Sequence, residues 1–153
     1  MCATISLYIA YGVIYMVCTF FGHKDCPSEI RDQLKQKLIY LIENCGVDEF
    51  YVGCNGAFDR LVRLVLMELK TLYPIRYSVV LAYMPQKKTD EDLSDTIYPE
   101  GLEKTPLRYA IGERNKWMIR CADYVVTYIR YTASNAANFA EFAKCRGKII
   151  IAL

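Results

Sequence analysis

Short apolar runs alternate along this chain with longer segments whose apolar residues recur every three or four positions. Residues 16–21, 50–52, 77–83, 123–129 and 148–153 are strand-length runs, most of them rich in β-branched and aromatic side chains. Segment 28–44 carries Ile30, Leu34, Leu38 and Leu41 at helical spacing, and 57–73, 107–121 and 135–145 also read as helices. The punctuation agrees. Ser28 after Pro27 is placed to cap the first helix and Gly46 to stop it; Pro74 ends the second, and Gly147 follows the fourth. Residues 85–106 break the rhythm with a polar stretch holding Pro85, Pro99 and Pro106, longer than an ordinary connection, which reads as a flap or partner surface. Strands alternating with helices predict an α/β chain: a Rossmann-like three-layer fold with a mostly parallel central sheet and right-handed crossovers. Such sheets bind ligands beyond the carboxyl ends of their strands. Three polar or small-residue segments fall there, 22–25, 53–59 and 130–138, and their convergence on one edge is the physical argument for a single site.

Composition narrows the classes. At 153 residues and 54% hydrophobic content the chain is about one domain with a sizeable core. A formal charge of +2 gives no electrostatic footprint for duplex nucleic acid. Seven cysteines occur without a Cys-x-x-Cys pair, and His23 is the only histidine, so no metal site is expected. The odd count suits a reducing cytoplasm. Cys18, Cys121 and Cys145 read as small core residues. Residues 1–21 hold no charged side chain, long enough for a membrane span, but tyrosines and other polar residues interrupt them. The preferred reading makes 1–15 an apolar extension ahead of a domain over 16–153, with a membrane partner only if 1–21 insert.

The segment from Cys18 to Pro27, Cys-Thr-Phe-Phe-Gly-His-Lys-Asp-Cys-Pro, and the loop from Val52 to Asp59, Val-Gly-Cys-Asn-Gly-Ala-Phe-Asp, resemble the SLOG superfamily that joins Smf/DprA and Lonely-guy (LOG) proteins. They look closest to its YpsA-like branch. The resemblance covers about residues 16–153. LOG enzymes carry Met-x-x-Arg-Lys and, after a strand, Pro-Gly-Gly-x-Gly-Thr-x-x-Glu. Here Ile111-Gly-Glu-Arg-Asn115 occupies the first motif, with Asn115 in place of lysine. The run from Ser134 to Glu141 occupies the second, with Ser134, Asn135 and Ala137 where the family has glycine. The resemblance thereby matches Arg114 and Glu141 to a catalytic arginine and glutamate. Read from the residues alone, Arg114 is a solvated helix residue paired with Glu113 or Asp123, and Asp59 an N-terminal helix charge.

Candidate ligand-binding residues follow. They are Gly22, His23 and Lys24 in the first loop and Gly53, Asn55, Gly56 and Asp59 in the second. Asn115 joins them from the third helix, and Ser134, Asn135, Ala136 and Asn138 from the last loop and helix start. Loop amides and a helix N-terminus are suited to a phosphate. The expected function is binding or sensing of a nucleotide or nucleotide-derived small molecule, with no cofactor. One alternative is a LOG-like hydrolase cutting nucleoside 5′-monophosphates at the glycosidic bond. The other is DprA-like binding of single-stranded DNA, against which the balanced charge counts. The resemblance also implies a homodimer.

Overall fold

The run at 16–22 becomes the central strand of a parallel sheet in the computed structural model, which describes residues 14–84 and 95–153. Six strands are present among the described residues: β1 (Met16–Gly22), β2 (Val47–Val52), β3 (Arg76–Val80), β4 (Thr96–Ile97), β5 (Tyr124–Tyr128) and β6 (Ile149–Ala152). They lie in the order β4-β3-β2-β1-β5-β6, and every pairing is parallel. The helices are α1 (Arg31–Cys45), α2 (Ala57–Lys70), α3 (Leu107–Cys121) and α4 (Asn135–Cys145).

Side chains two apart on a strand share a face, and this divides the core in two. Cys18 and Phe20 of β1 point with Phe50, Val52 and Val126 into a layer built with Leu34, Leu38 and Leu41 of α1 and Val62, Val65 and Leu66 of α2. Val17 and Phe21 point the other way, with Tyr51, Val80 and Val125, against Met118 and Ile119 of α3 and Ala136 and Ala143 of α4. The result is a three-layer Rossmann-like α/β fold. The alternating pattern of α1 and α2 is thus covered by one face of the sheet, and that of α3 and α4 by the other.

Several boundaries differ from the sequence reading. Ser28 makes no capping bond; a 3-10 turn, Ser28–Ile30, leads into α1, which begins at Arg31. Gly46 stops α1 as expected, in the left-handed region at φ 70°. Helix α2 ends at Lys70, ahead of Pro74, where the Thr71 hydroxyl donates to the Glu68 carbonyl at 2.7 Å. The supposed flap at 85–106 holds the extra strand β4, and Leu102 is buried; residues 85–94 lie outside the described residues. Cys18 and Cys121 are buried as expected, but Cys145 is exposed, because it sits on the outer side of α4. Burial pushes the Cys18 thiol far up from its ordinary value. Most of the extension, residues 1–13, is also outside the described residues. Tyr15, however, packs against the core and lies 4.3 Å from the Arg76 guanidinium. Met16–Gly22 being the central strand, residues 16–21 of the uncharged stretch are not helical. No described helix is long and apolar enough to cross a membrane.

Candidate functional site

From β1 the chain works outward through β2 and β3 to β4, then returns to lay β5 on the opposite side of β1. The loops after β1 and β5 therefore part at a topological switch point, which opens a crevice. Direct hydrogen bonds lock the three candidate loops together around it. The Ala57 N–H donates to the Lys24 carbonyl at 3.0 Å, joining the second loop to the first. Gly56 makes that approach feasible: its φ is 101°, and a Cβ there would come within 2.9 Å of the Lys24 Cα. The Arg130 N–H donates to His23 Nε2 at 2.8 Å, joining the first loop to the third. Between the loops and α3 lies a cavity of about 740 Å³, within the usual range for small-molecule sites.

Arg114 forms the cavity floor and is only 2% exposed. Its Nε donates to Asn115 Oδ1 at 2.8 Å, Nη1 to the Val80 carbonyl at 2.7 Å and Nη2 to Asn55 Oδ1 at 3.0 Å. The guanidinium thus ties α3 to the end of β3 and to the loop after β2. Asp59 faces the same knot and accepts the Asn55 N–H at 2.9 Å. Burial raises the Asp59 carboxyl above its ordinary value, against the Asn55 hydrogen bond and the charges of Arg114 and Arg63, which pull it down. Gly53 lies beneath them; a Cβ there would sit 2.6 Å from Asp59 Oδ2. Asn115 spends its carbonyl oxygen on Arg114, which orients the amide and leaves Nδ2 for the cavity that Asn115 lines.

His23 is buried, 5% exposed. Because Nε2 accepts the Arg130 amide proton, the ring proton sits on Nδ1. Its ring stacks on Tyr131 at 4.0 Å between centroids, nearly parallel at 10°, with Tyr128 edge-on at 6.0 Å. Ser134 caps α4: its hydroxyl accepts the Ala137 N–H at 3.2 Å and donates to the Tyr131 carbonyl at 3.1 Å. The first helical residues, Asn135 and Ala136, line the cavity, so the positive end of α4 opens into it. Lys24, Arg108 and Lys116 line it too, offset by Asp25, Asp59 and Glu113, with Lys116 and Glu113 paired at 2.8 Å.

The structure brings most of the sequence candidates to one place. Gly22, His23 and Lys24, Asn55 and Asp59, Arg114 and Asn115, and Ser134, Asn135 and Ala136 all line the cavity. Gly53 and Gly56 support it from behind, through close approach rather than contact. Asn138 and Glu141 are exposed and do not line it. Helical rotation is the reason: Glu141 lies roughly 140° around the axis from Ala136, so the expected pairing of Arg114 and Glu141 across one pocket is not formed. The surface reading of Arg114, paired with Glu113 or Asp123, is also corrected, since it is buried among neutral acceptors. Sequence reasoning passed over Tyr109, Tyr131 and Phe139, all of which line the cavity. The position of Tyr131 just after a strand was its only sequence signal.

The fold has a counterpart among solved structures. The chain is similar to the X-ray structure of DNA processing protein A (DprA) from Streptococcus pneumoniae, with a TM-score of 0.66 and 16% sequence identity. The match covers 90% of this chain and 50% of that one, so this chain spans about half the length of that protein. Likeness at this identity shows the fold alone. Neither a protein-family model nor a curated protein matches the chain.

Proposed function

We propose that the cavity at the switch point binds a nucleotide or nucleotide-derived small molecule. The observation that carries this reading is the opening of the α4 N-terminus into a cavity of about 740 Å³ whose wall also carries Asn115, Lys24 and exposed aromatic rings. Backbone N–H groups at a helix start favour an anion, and aromatic faces favour a planar base. The balance of acidic and basic side chains suits one phosphate group better than a nucleic-acid strand. The hydrolase reading loses support, because Glu141 lies outside the cavity lining and Arg114 is committed to protein oxygens. A DprA-like role on single-stranded DNA rests on fold similarity alone.

Isothermal titration with nucleoside 5′-monophosphates, dinucleotides and a short single-stranded DNA tests the reading. Saturable binding of a nucleotide is expected, weakened about tenfold or more in Asn135→Asp, which sets a carboxylate against the phosphate while suiting the helix dipole. Binding of DNA alone would favour the DprA-like role. Free base released from a monophosphate by the wild-type chain would restore the hydrolase.

A further inference from the structure

An aromatic ring half in water is ordinarily mobile, but Tyr131 is braced from behind. It is 50% exposed, yet one face lies flat on His23 at 4.0 Å. His23 is itself fixed by burial, by the Arg130 N–H at 2.8 Å and by the edge-on Tyr128 ring. The Tyr131 carbonyl is held by the Ser134 hydroxyl at 3.1 Å. Backbone on both sides of the ring is therefore pinned. Such a ring presents a preorganised face, and less rotamer freedom is left to lose when a flat ligand lands on it.

Its place in the site gives the ring a partner. Tyr131 lines the cavity together with Ser134, Asn135 and Ala136 at the start of α4. The bond from Ser134 to the Tyr131 carbonyl folds the segment 131–134 into one turn, which sets the Tyr131 backbone beside the start of α4, and both line the same cavity. A planar ring and an anion joined by a short linker satisfy both at once. A nucleoside monophosphate has that form; a sugar phosphate lacks the ring, and a free base lacks the anion.

We infer that Tyr131, backed by His23, is the stacking platform for the nucleobase of the ligand and makes the site selective for nucleotides over sugar phosphates. This rests on the nucleotide reading above and names the residue that sets its specificity. Tyr131 contributes its π-face rather than its hydroxyl, so phenylalanine should replace it.

Titration of the four common nucleoside 5′-monophosphates and of ribose 5-phosphate tests this on the wild type, Tyr131→Phe, Tyr131→Leu and Tyr131→Ala. The tightest nucleotide is expected to bind at least about tenfold better than ribose 5-phosphate, the usual worth of one stacked base. Tyr131→Phe should keep that ratio. Tyr131→Ala should lower nucleotide affinity about tenfold and leave ribose 5-phosphate unchanged, a ratio that loss of fold alone does not produce. Tyr131→Leu keeps an apolar cover on His23 and should lose the ratio as well, which covers the case of an unstable alanine variant. An unaltered ratio in Tyr131→Leu or Tyr131→Ala, with nucleotide still bound, overturns the platform and leaves the nucleotide reading intact. Equal wild-type affinity for nucleotide and ribose 5-phosphate does the same. Failure of every nucleotide to bind overturns both.

Discussion

Burying a guanidinium is costly unless its N–H groups find oxygens, and Arg114 has three acceptors arranged for it by three different elements. Its first task is therefore structural, whatever else it touches. Arg114→Met should lower the free energy of unfolding by roughly 3–5 kcal/mol, because the Val80 carbonyl and the Asn55 and Asn115 amide oxygens all lose their partner. Urea denaturation measures this, and unchanged stability would show that the knot is not what holds α3 in place. Asp59 gives a pH signature. Its folded pKa lies above the ordinary value of 3.8, so the folded chain holds the proton more tightly than the unfolded one. This group's contribution then favours folding in acid and is lost as pH rises through the unfolded and then the folded value. The stability of the wild type minus that of Asp59→Asn should fall as pH rises through and beyond the ordinary carboxylate range; a flat or rising difference would contradict the burial argument.

Helix α4 depends on its first turn more than the longer helices do, since it has only 11 residues. Ser134 both accepts from the helix and donates to the preceding loop. Ser134→Ala should cost about 1 kcal/mol and lower the melting temperature by roughly 2–4 °C for a chain of this size. At this scale most of the architecture was legible. Runs such as 16–21 carry apolar residues on both faces, and segments such as 28–44 repeat at helical spacing, so type and order could be read directly. Strand β4 could not be, since Thr96 and Ile97 are too few to show a period and sit among polar residues. The start of α1 was hidden because its 3-10 turn uses no side-chain cap. The candidate loops were visible because glycine, asparagine and serine follow apolar strands. Which side chains meet across them was not. The direction of Glu141 depends on where α4 begins its rotation, and the exposure of Tyr131 depends on His23, 108 positions away by number.

The whole molecule carries little net charge, +2 over 153 residues, and its cavity mixes both signs. Nucleotide binding should consequently weaken only modestly with salt. The slope of log affinity against log salt is expected to be shallow, whereas a strand contacting several phosphates would give about −0.7 per contact; titrations at rising potassium chloride separate the two. The strand order has another consequence, in time rather than in space. Strand β1 pairs with β2 soon after it is made, but its other edge waits for β5. The bond from the Val17 N–H to Asp123 spans 106 positions. At ribosomal rates of about 5–20 residues per second, that edge of β1 stays without its partner for roughly 5–20 s. A nascent chain halted near residue 84 should therefore be captured by a β-strand-binding chaperone or self-associate, and one extended far enough to expose β5 and β6 should not.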